Sequence, residues 1–257
     1  MPLSSSWTFD GVSLETAAHN IRLLSPDEMV PARRGRNVVI PGRVGSLHRT
    51  KVFSDRVIAL EMWVTGQTAA AMQSDLETLQ KLFGSAGERE LRRIMANGSI
   101  RRIDAEVVNA VTFKPRTESF ATFIVEFLCA YPFWSSCAIW ECEVGISDAT
   151  TTFTVDNRGT VENDRATVII EGAITDPKLA IGDTWVKYTG TVASGETLTI
   201  DVDAFTADLD GTDVTDKITH GGAVAWLVLP TGANTATLTG TGVSGARVEV
   251  RFNALYF

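Results

Sequence analysis

The feature that most constrains the fold is a series of short β-prone runs in the second half of the chain. Each run is rich in valine, isoleucine, threonine or aromatic residues and is bounded by glycine, asparagine, aspartate or proline. Such regular spacing, without helical periodicity, predicts an all-β sandwich. The runs are TTFTVDN (151–157), RATVIIEG (165–172), TWVKYTG (184–190), ETLTIDV (196–202), AVAWLVLP (223–230), NTATLTG (234–240) and ARVEVRFNALYF (246–257).

The first half combines longer strands with one helix. The runs 56–66 and 118–134 are rich in β-branched and aromatic residues, which predicts strands. Between them, apolar residues at helical spacing predict one helix over 67–83. Asn97 and Gly98, between two copies of Arg-Arg-Ile, predict a hairpin with a type I′ turn. The predicted fold class is therefore mainly β with one helix.

The composition changes near Ala138, where threonine, glycine, aspartate and valine become frequent. Residues 1–140 hold 16 Lys and Arg against 14 Asp and Glu, and residues 141–257 hold 7 against 17. This asymmetry predicts two differently built domains. We place a β-rich domain with one helix at 1–137, a β-sandwich at 138–257, and a hinge at 131–144.

Several functional classes find little support in the composition. The N-terminus does not read as a secretory signal, which predicts folding in the cytosol. The longest apolar run is far shorter than the roughly 20 residues of a membrane helix. Three cysteines with wide spacing and three histidines fit neither a disulfide framework nor a zinc site. We therefore expect no cofactor, no metal, no catalytic residue and no enzymatic activity.

An arginine-rich segment stands out in this acidic chain. The stretch VVIPGRVGSLHRTK (38–51) lacks the spacing and the lysine of a phosphate-binding loop. Gly42 and Gly45 are better interpreted as turn residues. The first half has too small an excess of cations for nucleic-acid binding, which needs several charges acting together. The nearby arginines are therefore solvated or interface charges.

Two further groups of residues in the second half could bind a ligand. The run 201–216 holds six aspartates, of which Asp208, Asp210 and Asp213 form a natural oxygen set for calcium. It lacks the spacing and final glutamate of an EF-hand, and an exposed turn explains it as well. Three aromatic residues could form a platform for a sugar, although core packing explains them equally: Trp185, Tyr188 and Trp226.

A series of motifs, individually weak, follows one order along about 250 residues. In the first half these are WTFDG (7–11), IPGRVGSLHR (40–49), VIALEMWVTG (57–66), the single helix and AYPFW (130–134). In the second half they are NRGT (157–160), ATVIIEG (166–172), YTGTVASGETLTID (188–201), the run around Trp226 and LPTGANTATLTG (229–240). In this order they resemble the distal tail proteins of phages with long, non-contractile tails.

The resemblance implies a structural virion protein that forms a hexameric ring at the distal end of the tail tube. The first domain would form the ring, and the second would be a galectin-like sandwich outside it. Partners would be further copies, the tube protein above, the tail-tip or hub protein below, and fibres or receptor-binding proteins. DNA would pass through the lumen without specific binding, and the protein would be assembled in the host cytoplasm.

Ring closure needs each subunit to present two different, complementary surfaces. We expect Arg33, Arg34, Arg36 and Arg43 to contribute to the contacts between subunits. The alternative function is carbohydrate binding, in which Trp185, Tyr188 or Trp226 would meet a glycan of the host cell wall.

Overall fold

The computed structural model describes residues 6–23, 30–109, 111–112, 114–117, 119–222 and 225–257. The chain divides into two compact units, residues Met1–Trp134 with Phe257 and residues Ser135–Tyr256. Strands dominate the part of the chain that the structure describes, with one α-helix and one short 3-10 turn. The mainly β fold class with one helix is confirmed.

In its described residues, the first unit contains the helix α1 (Ala69–Phe83) and twelve strands. The strands are β1 (Trp7–Phe9), β2 (Val12–Ser13), β3 (His19–Leu23), β4 (Arg33–Arg34), β5 (Val38–Val39), β6 (Ser46–Leu47), β7 (Val52–Phe53), β8 (Arg56–Thr65), β9 (Arg89–Ile94), β10 (Ile100–Val107), β11 (Lys114–Thr117) and β12 (Phe120–Cys129). In one antiparallel group β2 pairs with β1, β1 with β9, and β9 with β10. In another, β8 and β12 form the centre, with β3 beside β8 and β11 beside β12.

The core of the first unit lies between the central strands and the helix. Alternate residues of β8 and β12 are buried, as the pleat of a strand requires. The helix buries Met72, Leu76, Leu79 and Phe83, which recur at helical spacing. It begins after Thr68, so the predicted helix over 67–83 is confirmed with its start two residues later.

The hairpin at Asn97 and Gly98 is confirmed, but its turn type is not the one expected. The N–H of Gly98 donates to the carbonyl of Met95, and the N–H of Met95 donates to the carbonyl of Ser99. Gly98 has φ 80°, whereas Asn97 is not among the residues with positive φ. A type I′ turn needs positive φ at both central residues. The loop is therefore a type I turn closed by a glycine in the left-handed region.

Where the structure describes it, the second unit is built from ten strands and the 3-10 turn (Thr215–Lys217). The strands are β13 (Trp134–Ile146), β14 (Thr150–Asn157), β15 (Thr167–Ile181), β16 (Thr184–Tyr188), β17 (Thr191–Val192), β18 (Thr197–Asp201), β19 (Thr206–Leu209), β20 (Thr212–Asp213), β21 (Ile218–His220) and β22 (Gly232–Tyr256). The long strand β22 pairs with β14 and β15, and β15 also pairs with β16, β17 and β18. Their inward side chains form one hydrophobic core.

One expectation for the second half was wrong. Of the run expected as a strand at 223–230, residues 223–224 lie outside the described residues, and residues 225–230 form no extended strand. They are a largely buried connection, tied to Asn163 by a bridge at Leu229. The run is apolar because it fills the core, and burial rather than strand pairing explains its composition. The boundary between the two compact units, between Trp134 and Ser135, lies inside the region 131–144.

No helix in the described ranges is long and apolar enough to cross a membrane.

Candidate interaction surface

The arginine-rich segment forms a hairpin that we call the arm, residues 32–53. At its tip, β5 and β6 pair through Val38 with Leu47 and Val39 with Ser46. Residues 40–45 connect them, with Gly42 at φ 79° and the N–H of Arg43 donating to the carbonyl of Ile40 at 3.1 Å. Proline followed by a glycine of positive φ, as in Pro41 and Gly42, is the signature of a type II turn. The turn predicted at Gly42 and Gly45 is confirmed.

The arm is almost entirely exposed. Every residue in it except Ile40 and Phe53 is exposed, including five large apolar side chains. Val39 retains 71% of its accessible surface and Val44 retains 101%. Among the described residues, fourteen large apolar side chains are strongly exposed, and five of these fourteen lie within the 22 positions of the arm. Such a concentration of exposed apolar side chains makes the arm a candidate interaction surface.

The charges of the arm are all of one sign. It carries six lysine or arginine residues and no aspartate or glutamate. All four arginines that the sequence singled out are exposed and lie in the arm: Arg33, Arg34, Arg36 and Arg43. The guanidinium of Arg33 lies 4.8 Å from the centre of the Phe53 ring. Within the described part of the chain, the other three have no ion-pair partner and are available to an outside one.

The three aromatic residues proposed for a glycan platform are not gathered on one open surface. Tyr188 is 2% exposed and Trp226 is 8% exposed, and both belong to the core of the second unit. Trp185 is half-buried, and the ammonium of Lys178 lies 4.2 Å from its ring centre. Stacking on a sugar needs an accessible ring face, which neither Tyr188 nor Trp226 presents.

The three aspartates that sequence suggested for calcium organise turns. Their carboxylates accept hydrogen bonds from backbone N–H groups: Asp208 from Gly211 at 2.7 Å, Asp210 from Thr197 at 3.0 Å, and Asp213 from Thr215 at 2.9 Å. Hydrogen bonds from the side chain and backbone of Thr215 lower the pKa of Asp213. In the described ranges, no three His, Cys, Asp or Glu residues are grouped so that they could hold a metal ion.

Comparison with known proteins shows a similarity among solved structures. No protein-family model matches the sequence, and no curated protein does. The chain is similar to the SPP1 Dit (gp 19.1) protein, described as a paradigm of the hub adsorption apparatus in phages that infect Gram-positive bacteria. The TM-score is 0.69 at 16% identity, over 97% of this chain and 98% of that one. The chain therefore shares the fold of SPP1 Dit.

Two structures of the phage P2 baseplate in its activated conformation are also similar over nearly all of the chain. The one with Ca has a TM-score of 0.47 at 8% identity, covering 96% of this chain and 98% of that chain. The one with Sr has a TM-score of 0.45 at 9% identity, covering 96% and 97%. Neither score establishes a shared fold, so the fold is assigned from SPP1 Dit alone.

One feature of the fold was missed by sequence reasoning. Phe53, at the base of the arm, lies in an aromatic cluster with Phe133 and Phe257. The ring centres of Phe53 and Phe133 are 5.2 Å apart, and those of Phe53 and Phe257 are 5.6 Å apart. These residues are widely separated along the chain, so no local pattern could have indicated that they meet.

Proposed function

We propose that this protein is a structural component of a phage tail hub or baseplate that forms a hexameric ring at the distal end of the tail tube. The observation that carries the proposal is the arm, an exposed hairpin that combines unpaired arginines with exposed valines. The fold supports it, because SPP1 Dit, which shares that fold, is described as a paradigm of the hub adsorption apparatus.

The charge distribution favours a second copy of the chain as the partner of the arm. The arm holds six of the 23 Lys and Arg residues and none of the 31 Asp and Glu residues. The rest of the chain therefore carries 17 cationic against 31 anionic side chains and is complementary to the arm. A cationic arm that meets the acidic body of a neighbour is a head-to-tail contact, which closes into a ring when the rotation allows.

In this role the protein works through its surfaces and converts no substrate. The ring joins the tube protein above to the tail-tip or hub protein below, and it serves as an assembly hub during host attachment and DNA delivery. The second unit is available to fibres or receptor-binding proteins. DNA passes through the lumen without specific binding, and the protein resides at the distal tip of the virion tail after assembly in the host cytoplasm.

The test reverses three arm charges, in the variant Arg34→Glu/Arg36→Glu/Arg43→Glu. Arg33 is left in place because it also packs on Phe53. We expect wild-type protein to give six-subunit particles by light scattering and rings by negative-stain microscopy, and the variant to give monomers. Each reversal replaces an attraction with a repulsion across the contact, and like-charge juxtaposition costs several kcal/mol.

A matched control carries the same total change of charge at exposed positions outside the arm. It is Lys81→Glu/Arg89→Glu/Lys217→Glu, and all three residues are exposed. We expect the control to form rings like the wild type. Rings of full size from the arm variant, or wild-type protein that stays monomeric at high concentration and with tube protein added, would contradict the proposal.

A further inference from the structure

The arm needs support from outside its own hairpin. Its base is a minimal ribbon in which Arg33 pairs with Phe53 and Arg34 with Val52. The N–H of Ser54 donates to the carbonyl of Ala32 at 2.7 Å. A two-stranded hairpin on its own is marginally stable in water. Some contact beyond these few hydrogen bonds must therefore hold the base together and set the direction in which the arm leaves the first unit.

Phe53 provides that contact, because its ring meets three different groups. The ring of Phe133 lies edge-on to it at 5.2 Å, and the ring of Phe257 lies 5.6 Å away at an angle of 57°. The guanidinium of Arg33 is 4.8 Å from the centre of the Phe53 ring. Tilted and edge-to-face ring pairs at these distances are favourable beyond the area that they bury, and a cation near a ring face adds to them.

Phe257 completes this cluster. Its ring is 5.9 Å from that of Phe133 at an angle of 72°, so Phe53, Phe133 and Phe257 form a closed triangle of rings. Tyr131 extends the cluster, with its ring 5.4 Å from Phe133. Phe257 belongs to the first unit, although the whole preceding segment, Ser135–Tyr256, belongs to the second.

We propose that Phe257 is a positioning residue for the arm. Its ring holds Phe53 against Phe133 and thereby keeps β4 paired with β7 at the base of the arm. Without Phe257, the Phe53 ring loses one of its two ring partners and the triangle opens. The base then opens more often, and the arm samples a wider range of directions. The consequence for assembly rests on the proposed function, since a ring requires the arm to reach its neighbour at a defined angle.

Hydrogen exchange measured by mass spectrometry tests the proposal. The variant is Phe257→Ala, measured at a dilution where light scattering gives the monomer mass. We expect exchange of the amides in 32–34 and 52–54 to become about tenfold faster, the effect of losing one to two aromatic pairs. The amides of 58–64 and 121–128, in the central pair β8 and β12, should keep their wild-type rates.

The control is Phe205→Ala, which removes an exposed phenylalanine from the second unit, where it packs on Trp226. We expect it to leave exchange of the arm base unchanged. Phe257→Tyr, which keeps a ring at the position, should restore the wild-type rate. Unchanged exchange of the arm base in Phe257→Ala overturns the proposal, and so does an acceleration that Phe257→Tyr fails to reverse.

If Phe257→Ala also speeds exchange in the central strands β8 and β12, a second variant separates the two effects. This variant is Phe257→Leu, which keeps apolar volume without a ring. Acceleration confined to the arm base in this variant supports the proposal, and no acceleration overturns it. The exchange measurement does not depend on ring formation. A wild-type protein that forms no ring would contradict the proposed function, and the role proposed for Phe257 could still be tested. Unchanged exchange of the arm base in a protein that does form rings would contradict only the role proposed for Phe257.

Discussion

At the scale of single residues, burial controls the chemistry of the cysteines. Cys129 lies at the end of β12, where it pairs with Arg56 of β8 and is 0% exposed. Burial raises the pKa of its thiol to about 12, and the nearby Arg56 offsets only part of this effect. Burial also raises the pKa of Cys142, whose Sγ donates to the carbonyl of Thr154 at 3.2 Å.

We predict that Cys129 resists alkylation in the folded protein. The thiolate is the reactive form, and a pKa of about 12 leaves Cys129 as the neutral thiol at pH 8. Iodoacetamide labelling followed by mass spectrometry should modify the half-buried Cys137 first and leave Cys129 unmodified. All three cysteines should react in denaturant. Labelling of Cys129 as fast as Cys137 without denaturant would show that β12 opens at this end.

At the scale of elements, the start of the helix depends on one hydroxyl. The Oγ1 of Thr68 accepts a hydrogen bond from the N–H of Ala71 at 3.1 Å, which satisfies one of the unpaired donors of the first turn. Thr78 lies in the middle of the same helix, and its hydroxyl donates to the carbonyl of Ser74. The hydroxyl of Thr68 therefore acts as an acceptor that caps the helix, whereas the hydroxyl of Thr78 acts as a donor within it.

We predict that Thr68→Ala lowers the free energy of unfolding of the first unit by about 1 kcal/mol, because the cap is lost. Thr78→Ala is the matched control. It should be neutral or slightly stabilising, since alanine is the better helix former and a back-bonded hydroxyl is a small cost. Urea denaturation of both variants measures the difference. Equal effects of the two substitutions would mean that the hydrogen bond to Ala71 contributes nothing.

Strands of the second unit are also linked through charge. Arg247 on β22 donates to Glu171 on β15 at 2.8 Å and to Glu143 on β13 at 2.7 Å. The hydrogen bond from Arg247 is the main reason why the pKa of Glu171 lies below its ordinary value. A carboxyl group with a lowered folded-state pKa stabilises the fold above its unfolded-state pKa. That contribution disappears as the pH falls through the lowered value.

We therefore predict that the stability difference between wild type and Arg247→Met depends on pH. The wild type should have the higher melting temperature at pH 7, and the difference should shrink as the pH falls below the ordinary glutamate value of 4.5. Because these groups are exposed, the effect should be small. Arg89→Met, at an exposed position in the first unit, controls for the loss of a cation. A difference that stays constant with pH would exclude the ion pair as its cause.

At the scale of the whole molecule, charge separates the arm from the rest of the protein. The six cations of the arm lie in a chain of net charge -8, so the body alone is strongly acidic. Two copies therefore attract each other in the arm-to-body orientation and repel each other body to body. This asymmetry favours the head-to-tail contact that the charge reversal in Arg34, Arg36 and Arg43 tests.

Much of the fold could be predicted from the sequence because its signals act over a few residues. The helix follows from the spacing of Met72, Leu76, Leu79 and Phe83, and the tip of the arm from Pro41 and Gly42. Steric limits on φ and the repeat of the helix decide these features, and both can be read along the chain. Prediction from the sequence was wrong where two local structures suit the same residues. The hairpin at Gly98 is an example, since both a type I′ turn and a type I turn followed by a left-handed glycine fit its sequence.

Local sequence thus determined much of the secondary structure and the cationic, apolar character of the arm, because those properties belong to neighbouring residues. Only the tertiary structure decided which of these side chains remain accessible. It placed Tyr188 and Trp226 in the core, left Val39 and Val44 in solvent, and brought Phe257 against Phe53. The reason is that burial depends on contacts between residues far apart in the chain, and no short pattern encodes which distant side chains will fill the same space.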